Sequence, residues 1–141
     1  DGSPYHGAAW CYAGTRNAVY LRDGLRCVHC GRDARGVLRR GGFTLDHVRP
    51  CSTHGIDHSP ANLITSCRRC NVSRQARSVR AFSGAEGARR ARNAVRRALP
   101  AKREGLALHK AVKARGPGER VAVILEGEEQ YAAFCRSHWI V

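Results

Sequence analysis

Four cysteines in two short pairs, and an adjacent aspartate and histidine between them, are the residues of this chain best suited to chemistry. The pairs are Cys27-Val28-His29-Cys30 and Cys67-Arg68-Arg69-Cys70. Asp46-His47 lies near the end of an alternating apolar and polar run from Phe43 to Val48, and Pro50 follows it. A carboxylate next to an imidazole is a poor way to fill a core, but it presents two polar groups at one fixed place.

The spacing within each cysteine pair is typical of a zinc knuckle, in which loop amides point at the sulfurs. Together the pairs could close a tetrahedral Zn²⁺ site with Zn–S bonds of about 2.3 Å. Four thiolates leave no open position, so we expect a structural role for the ion. Redox pairs or buried thiols are the other interpretations, although the odd total of seven cysteines argues against a purely disulfide framework. His29, inside the first pair, is expected at the surface.

Asn71 directly follows Cys70, so the predicted zinc site would fix its position on a helix. Carboxylate and amide oxygens such as those of Asp46 and Asn71 suit Mg²⁺ or Mn²⁺ and not zinc. If the strand ends near Pro50, Asp46 can hold such an ion while His47 faces a water as general base. Taken singly, these residues are better explained as a half-exposed Asp-His pair on a solvent face and a helix-capping asparagine.

The charge of the chain is strongly positive, with 25 Lys and Arg against 11 Asp and Glu and a net charge of +14. Such a surface attracts polyanions, of which nucleic acid is the commonest, although a solubilising helix is the alternative explanation for the block from Arg68 to Arg103. A membrane partner is not expected, because no run of about 18 apolar residues and no leader sequence is present. The arginines predicted to contact nucleic acid are Arg49, Arg68, Arg69, Arg74, Arg89, Arg90, Arg96 and Arg97.

Short elements should position these residues. Alternation and length predict a strand over 43–48, a second strand or turn over 62–65, and a buried strand over 120–125. Polar loops are predicted at 32–42 and 51–61. Helices are predicted from Thr15, over about 67–79, between Ser83-Gly84 and Pro100, over about 102–114, and over 126–139.

The order of the motifs resembles the HNH endonuclease family over about residues 15–77. The motifs are C-x-x-C, Leu45-Asp46-His47-Val48-x-Pro50, Asn62-Leu63, and C-x-x-C-Asn71-x-x-Arg74. The resemblance implies an α+β fold with a small, zinc-stapled ββα-metal core of the His-Me finger type. It also implies that His47 is the general base, that Asp46 and Asn71 hold one catalytic ion, and that Asn62 steadies the loop and the histidine. Asn71 stands where other members carry His, which makes this chain an H-N-N variant.

We therefore expect a metal-dependent DNA endonuclease with structural Zn²⁺ and catalytic Mg²⁺ or Mn²⁺, acting on double-stranded DNA in an intracellular, bacterial or phage-encoded setting. The expected division is a zinc-bound nuclease core over 1–80 and a basic, mostly helical extension over 81–141 packed on it. A non-catalytic zinc-ribbon module and a nuclease directed at RNA stay open as alternatives. So do the oligomeric state, a homodimer included, and a second zinc site formed by Cys135-x-x-His138 with Cys11 and His6.

Overall fold

A computed structural model describes residues 13–32 and 43–114 of the chain. In chain order the elements are α1 (Ala13–Arg22), β1 (Phe43–His47), α2 (Cys51–His54), β2 (Leu63–Cys67), α3 (Arg68–Arg74), α4 (Val79–Arg96) and α5 (Lys102–Ala114). Two strands followed by a helix confirm the predicted α+β fold and agree with a small ββα-metal core. The predicted strand over 120–125, the helix over 126–139, most of the loop over 32–42 and the second zinc site lie outside the described residues.

The two strands form an antiparallel ribbon in which Asp46 lies opposite Ile64 and His47 opposite Leu63. All five residues of β2 are buried, so this strand is the inner one. His47 is the last residue of β1, and Pro50 begins the turn into α2. The strand therefore ends where the sequence predicted, at the adjacent carboxylate and imidazole.

A buried ion pair joins the end of α1 to β2. Arg22 Nε donates to Asp23 Oδ1 (2.8 Å), and Arg22 Nη2 donates to the Leu63 carbonyl (2.6 Å). Asp23 Oδ2 in turn accepts a hydrogen bond from the Thr65 amide (2.7 Å). Since both charged groups are fully hydrogen-bonded, the pair can be buried without leaving an unpaired charge.

The helix predicted over about 67–79 is shorter in the structure, where α3 ends at Arg74 and α4 begins at Val79. Gln75 has φ 54° and ψ −132°, and the Ser78 hydroxyl caps α4 by accepting from the Ala81 amide (3.0 Å). The next helix was predicted between Ser83-Gly84 and Pro100, and the structure has a kink at Gly84, whose φ of 74° glycine tolerates without a steric penalty. Helix α4 also includes a helical segment from Val79 up to this kink, and it ends at Arg96.

The later helices pack on the earlier elements. A buried apolar cluster contains Val28, Ile64, Val79, Ala91 and Ala94, which lie before β1, in β2 and in α4. Helix α5 packs against α1. Apolar residues of the segment 81–114 thus pack against residues that precede position 81. Within the described ranges, we find no helix whose length and apolar character would let it cross a bilayer.

Candidate active site

The four cysteines of the two pairs lie together, with their sulfurs all within 4.8 Å of one another. Tetrahedral metal–sulfur bonds of about 2.3 Å place sulfurs roughly 3.8 Å apart, and Cys30 Sγ and Cys67 Sγ are 4.0 Å apart. The Cys70 amide donates to Cys67 Sγ (3.4 Å), and the Gly31 amide closes the first loop on the Cys27 carbonyl (2.8 Å). Donor type and spacing therefore fit a four-coordinate zinc ion, as the sequence predicted.

The pKa values of the thiols differ within the cluster. Burial raises the pKa of Cys27, but hydrogen bonds from the backbone amides of Cys67 and Cys30 outweigh burial and leave that pKa below its usual value. Burial first, and then the charge of neighbouring sulfurs, raises the pKa of Cys30 and of Cys70. Four thiolates this close repel one another, so their joint ionisation requires a positive charge between them.

Asp46 points toward the first cysteine pair and α3. Its Oδ2 accepts hydrogen bonds from His29 Nε2 (2.7 Å) and Arg74 Nη1 (2.9 Å). His29 is in turn fixed by Ser83, whose hydroxyl lies 3.0 Å from His29 Nδ1. In the described part of the chain, both contacts of the Asp46 carboxylate use Oδ2, so Oδ1 is left for a ligand.

The placement of His29 differs from the sequence-based expectation. His29 was expected at the surface, but only 4% of it is exposed. It lies between Cys27 and Cys30, so the loop that supplies two sulfurs also orients the Asp46 carboxylate. The only signal in the sequence was a histidine between the two cysteines of the first pair. This signal was too weak to predict the contact of His29 with Asp46.

The structure does not support the prediction that Arg74 clamps a phosphate. Arg74 is fully buried. Besides Asp46, its guanidinium donates to the carbonyls of His47 (2.6 Å), Val48 (2.7 Å) and Arg77 (2.8 Å). Because its guanidinium N–H groups donate to groups within the fold, Arg74 connects the end of β1 to the end of α3 and is not accessible to a phosphate in solvent.

Asn71 lies on the same cavity as Asp46 and His47, and the volume of this cavity is about 340 Å³. The Asn71 amide nitrogen donates to Thr44 Oγ1 (2.8 Å) and, at 3.3 Å, to the Leu45 carbonyl. These bonds fix the side chain against β1 and leave its oxygen available as a ligand. The structure therefore brings together the three residues that were predicted to do the chemistry.

His47 faces the loop between α2 and β2. One contact of His47 is His58, whose Nδ1 lies 2.9 Å from His47 Nε2. While both rings are neutral, only one of these two nitrogens carries a hydrogen. Cys51, at the start of α2, lies beside the two rings.

Asn62 joins the exit of β1 to the loop that carries His58. Its Oδ1 accepts from the Arg49 amide (2.8 Å), and its Nδ2 donates to the Asp57 carbonyl (2.9 Å). Hydrogen bonds from Ser59, and then from Arg49, hold the pKa of Asp57 at about 2. The loop contacts of this carboxylate therefore stabilise the fold above about pH 3.8 and are lost only as the pH falls through about 2.

The other predicted nucleic-acid contacts differ in their surroundings. The exposed ones are Arg49, Arg68, Arg69, Arg89, Arg96 and Arg97. Arg49 pairs with Asp57 (2.9 Å), and Arg89 pairs with Glu86. Arg90 is half-buried and donates to the carbonyls of Val28 (2.7 Å) and His29 (2.6 Å). Like Arg74, it stabilises the fold, so its surroundings do not support its predicted role as a phosphate contact.

Comparison with known proteins agrees with this arrangement. The family model described as HNH endonuclease matches residues 27–77, from the first cysteine of the first pair to the turn before α4. Neither the curated proteins nor the solved structures gave a match. The matched segment contains both cysteine pairs, the adjacent carboxylate and imidazole, and both asparagines. Residues 27–77 of this chain therefore match the HNH endonuclease family, and this match indicates a function of the nuclease type in general.

Proposed function

We propose that the chain is a metal-dependent endonuclease that hydrolyses DNA phosphodiester bonds with His47 as the general base. The observation that carries this proposal is the shared cavity, whose lining residues include His47 and two residues with side-chain oxygens, Asp46 and Asn71. A zinc-binding module without catalysis would need the cysteines, but not these three groups on one cavity.

Asp46 and Asn71 would hold the catalytic ion. A carboxylate oxygen and an amide oxygen are hard ligands, and with water they suit Mg²⁺ or Mn²⁺. When bound, such an ion would supply positive charge that stabilises the phosphate and the departing oxygen. His29 and Arg74 would orient the Asp46 carboxylate through its other oxygen.

The remaining chemistry belongs to His47. The imidazole takes a proton from a water, the water oxygen attacks the phosphorus, and the 3′-oxygen leaves on the opposite side. Asn62 contributes by fixing the backbone at Arg49, two residues after the end of β1.

Charge supports nucleic acid as the substrate. Arg68 and Arg69 are exposed on α3, within three residues of Asn71, and Arg96 and Arg97 are exposed at the end of α4. Phosphate contacts of this kind position a duplex without reading its sequence. The division into a nuclease core over 1–80 and a basic extension over 81–141 is part of the same proposal, and the shared apolar cluster supports their packing.

The test is cleavage of supercoiled plasmid with Mg²⁺ or Mn²⁺ by wild-type protein and by the His47→Ala variant. We expect nicked or linear plasmid from the wild type and none from the variant, with zinc content and DNA binding preserved. The matched control is His54→Ala, since His54 is an exposed histidine of α2. It should cleave as the wild type does.

Cleavage retained by His47→Ala would overturn the assignment of the base. Binding of DNA without cleavage by any ion would favour the non-catalytic zinc-ribbon module. A parallel assay on single- and double-stranded RNA decides between DNA and RNA as the preferred substrate.

A further inference from the structure

His47 belongs to a second cluster of metal-binding side chains. His47, Cys51 and His58 place one nitrogen or sulfur each within 4.8 Å of one another. This cluster shares no residue with the four cysteines. Cys51 and His58 are half-buried, so the cluster can be reached from solvent, whereas His47 is only 7% exposed.

The backbone around the three residues holds them together without a metal ion. Cys51 starts α2 directly after Pro50, four residues beyond His47. Asn62 fixes both the backbone at Arg49 and the loop carbonyl beside His58. The His47 and His58 nitrogens are already 2.9 Å apart. Only small movements are needed to reach the separation of roughly 3.3–3.8 Å between ligands of one tetrahedral ion.

The ligand types select the ion. Two imidazole nitrogens and one thiolate suit zinc and similar transition metals, whereas Mg²⁺ prefers oxygen ligands. Three protein ligands and one water complete a four-coordinate site. Binding would require both facing nitrogens to offer lone pairs and the Cys51 thiol to release its proton.

We propose that His47, Cys51 and His58 form a second, inhibitory site for Zn²⁺ or a related transition-metal ion. The inhibitory part rests on the proposed function, in which His47 is the base. An imidazole whose lone pair is bound to zinc and whose orientation is fixed toward Cys51 and His58 cannot serve the attacking water. The site would thus oppose the Mg²⁺ or Mn²⁺ chemistry at Asp46 and Asn71, which uses different ligands on the same cavity.

Binding is measured first, independently of cleavage. The 141-residue chain with its cysteine cluster filled with zinc is titrated with Co²⁺, whose visible and near-ultraviolet absorption reports nitrogen and thiolate ligands. Metal analysis confirms that the first zinc is retained. The wild type should take up one further equivalent, with a cobalt–thiolate band. Cys51→Ser should lose this band, and both Cys51→Ser and His58→Ala should weaken the additional binding roughly 100-fold or more.

His54→Ala is the matched control for binding, because His54 lies in the same segment but outside the cluster. It should bind the additional ion as the wild type does. Thermal melting of each variant checks that its fold is intact. A wild type that takes up no further equivalent, or a Cys51→Ser variant that still shows the band with unchanged affinity, would overturn the proposal.

Inhibition is then measured as plasmid cleavage with Mg²⁺ at increasing Zn²⁺, with each variant compared to its own rate without added zinc. The half-inhibiting zinc concentration should rise roughly 100-fold in Cys51→Ser and stay unchanged in His54→Ala. Additional binding without cleavage in any protein would support the metal site and overturn the nuclease proposal. Cleavage without additional binding would overturn the metal site and leave the nuclease proposal standing.

Discussion

His29 and Arg74 are two buried side chains that determine how Asp46 is presented. Both bind the same carboxylate oxygen, Oδ2, at 2.7 and 2.9 Å. A carboxylate held through one oxygen cannot rotate freely, so its other oxygen has a fixed direction. Positioning of this kind is what a metal ligand needs from the groups behind it.

Replacing Arg74 should damage the fold and leave the charge-dependent part of DNA binding intact. Removing one partner of a buried, hydrogen-bonded pair leaves the other charge unpaired, and Arg74→Ala should lower the free energy of unfolding by roughly 3–5 kcal/mol. Urea denaturation followed by circular dichroism measures this loss.

Arg69→Ala is the matched control, because Arg69 is an exposed arginine on the same helix. It should change stability by no more than about 0.5 kcal/mol. If Arg69 contacts a phosphate, its replacement reduces the salt slope of duplex affinity by about 0.9. The opposite pattern, a stable Arg74→Ala variant with a reduced salt slope, would restore the role of Arg74 as a phosphate clamp.

The sequence alone predicts which residues carry the chemistry but not which residues hold them. Asp46, His47 and Asn71 are recognisable because their types and order are unusual. His29 and Arg74 lie 17 and 28 residues from Asp46 along the chain. Nothing in a local pattern distinguishes such an arginine from the exposed arginines around it, so its burial could not be read from one sequence.

At the scale of elements, helix α5 can pack closely against α1 because Gly105 has no side chain. A Cβ atom at Gly105 would lie 2.0 Å from the Gly14 carbonyl oxygen and 2.8 Å from the Ala18 amide nitrogen. These neighbours are backbone atoms of α1 and cannot turn aside. Glycine therefore allows the two helices to approach more closely than any other residue would.

Gly105→Ala should destabilise the chain, although alanine is the better helix former by about 1 kcal/mol. Forcing α5 away from α1 should cost about 1–3 kcal/mol, as overpacking of an interior does. Thermal and urea unfolding measure the change. Ala107→Ser, on the exposed side of the same helix, is the control and should have little effect. A stabilised Gly105→Ala variant would show that the helices do not meet at this point.

The elements themselves were predictable where their pattern was strong. Strand β1 and helix α5 lie close to the predicted positions because their pattern and length were clear. The segment predicted as a strand or turn over 62–65 is strand β2, which continues to Cys67. The gap between α3 and α4 was not predicted, because the basic residues around it carry little apolar periodicity. The break there depends on Gln75, whose left-handed φ is unusual for a residue with a side chain.

Across the whole molecule, some arginines form hydrogen bonds within the fold and others are exposed to solvent. One group of arginines donates hydrogen bonds to backbone carbonyls or carboxylates inside the fold. This group contains Arg22, Arg74 and Arg90. Arg96 and Arg97 are exposed near the end of α4. Net charge alone therefore overstates the number of arginines that can reach a phosphate.

Neutralising Arg96 and Arg97 together should weaken duplex binding at low salt and reduce the slope of log affinity against log salt by about 2, if each contacts one phosphate. Fluorescence anisotropy at several salt concentrations measures the slope. Asn93→Ala, an exposed and uncharged position of the same helix, should leave it unchanged. An unaltered slope in the double variant would exclude this end of α4 from the DNA contact.

His29 limits how freely the first cysteine loop could be exchanged for another. Loops with two cysteines at this spacing look interchangeable if only their sulfurs are counted. This loop also carries the imidazole that touches Asp46, and its carbonyls at Val28 and His29 receive Arg90. A transplanted loop with both cysteines but without this histidine would restore the four-cysteine cluster. It would leave the Asp46 carboxylate without the hydrogen bond from His29. The loop therefore contributes to the position of Asp46 as well as to the four-cysteine cluster.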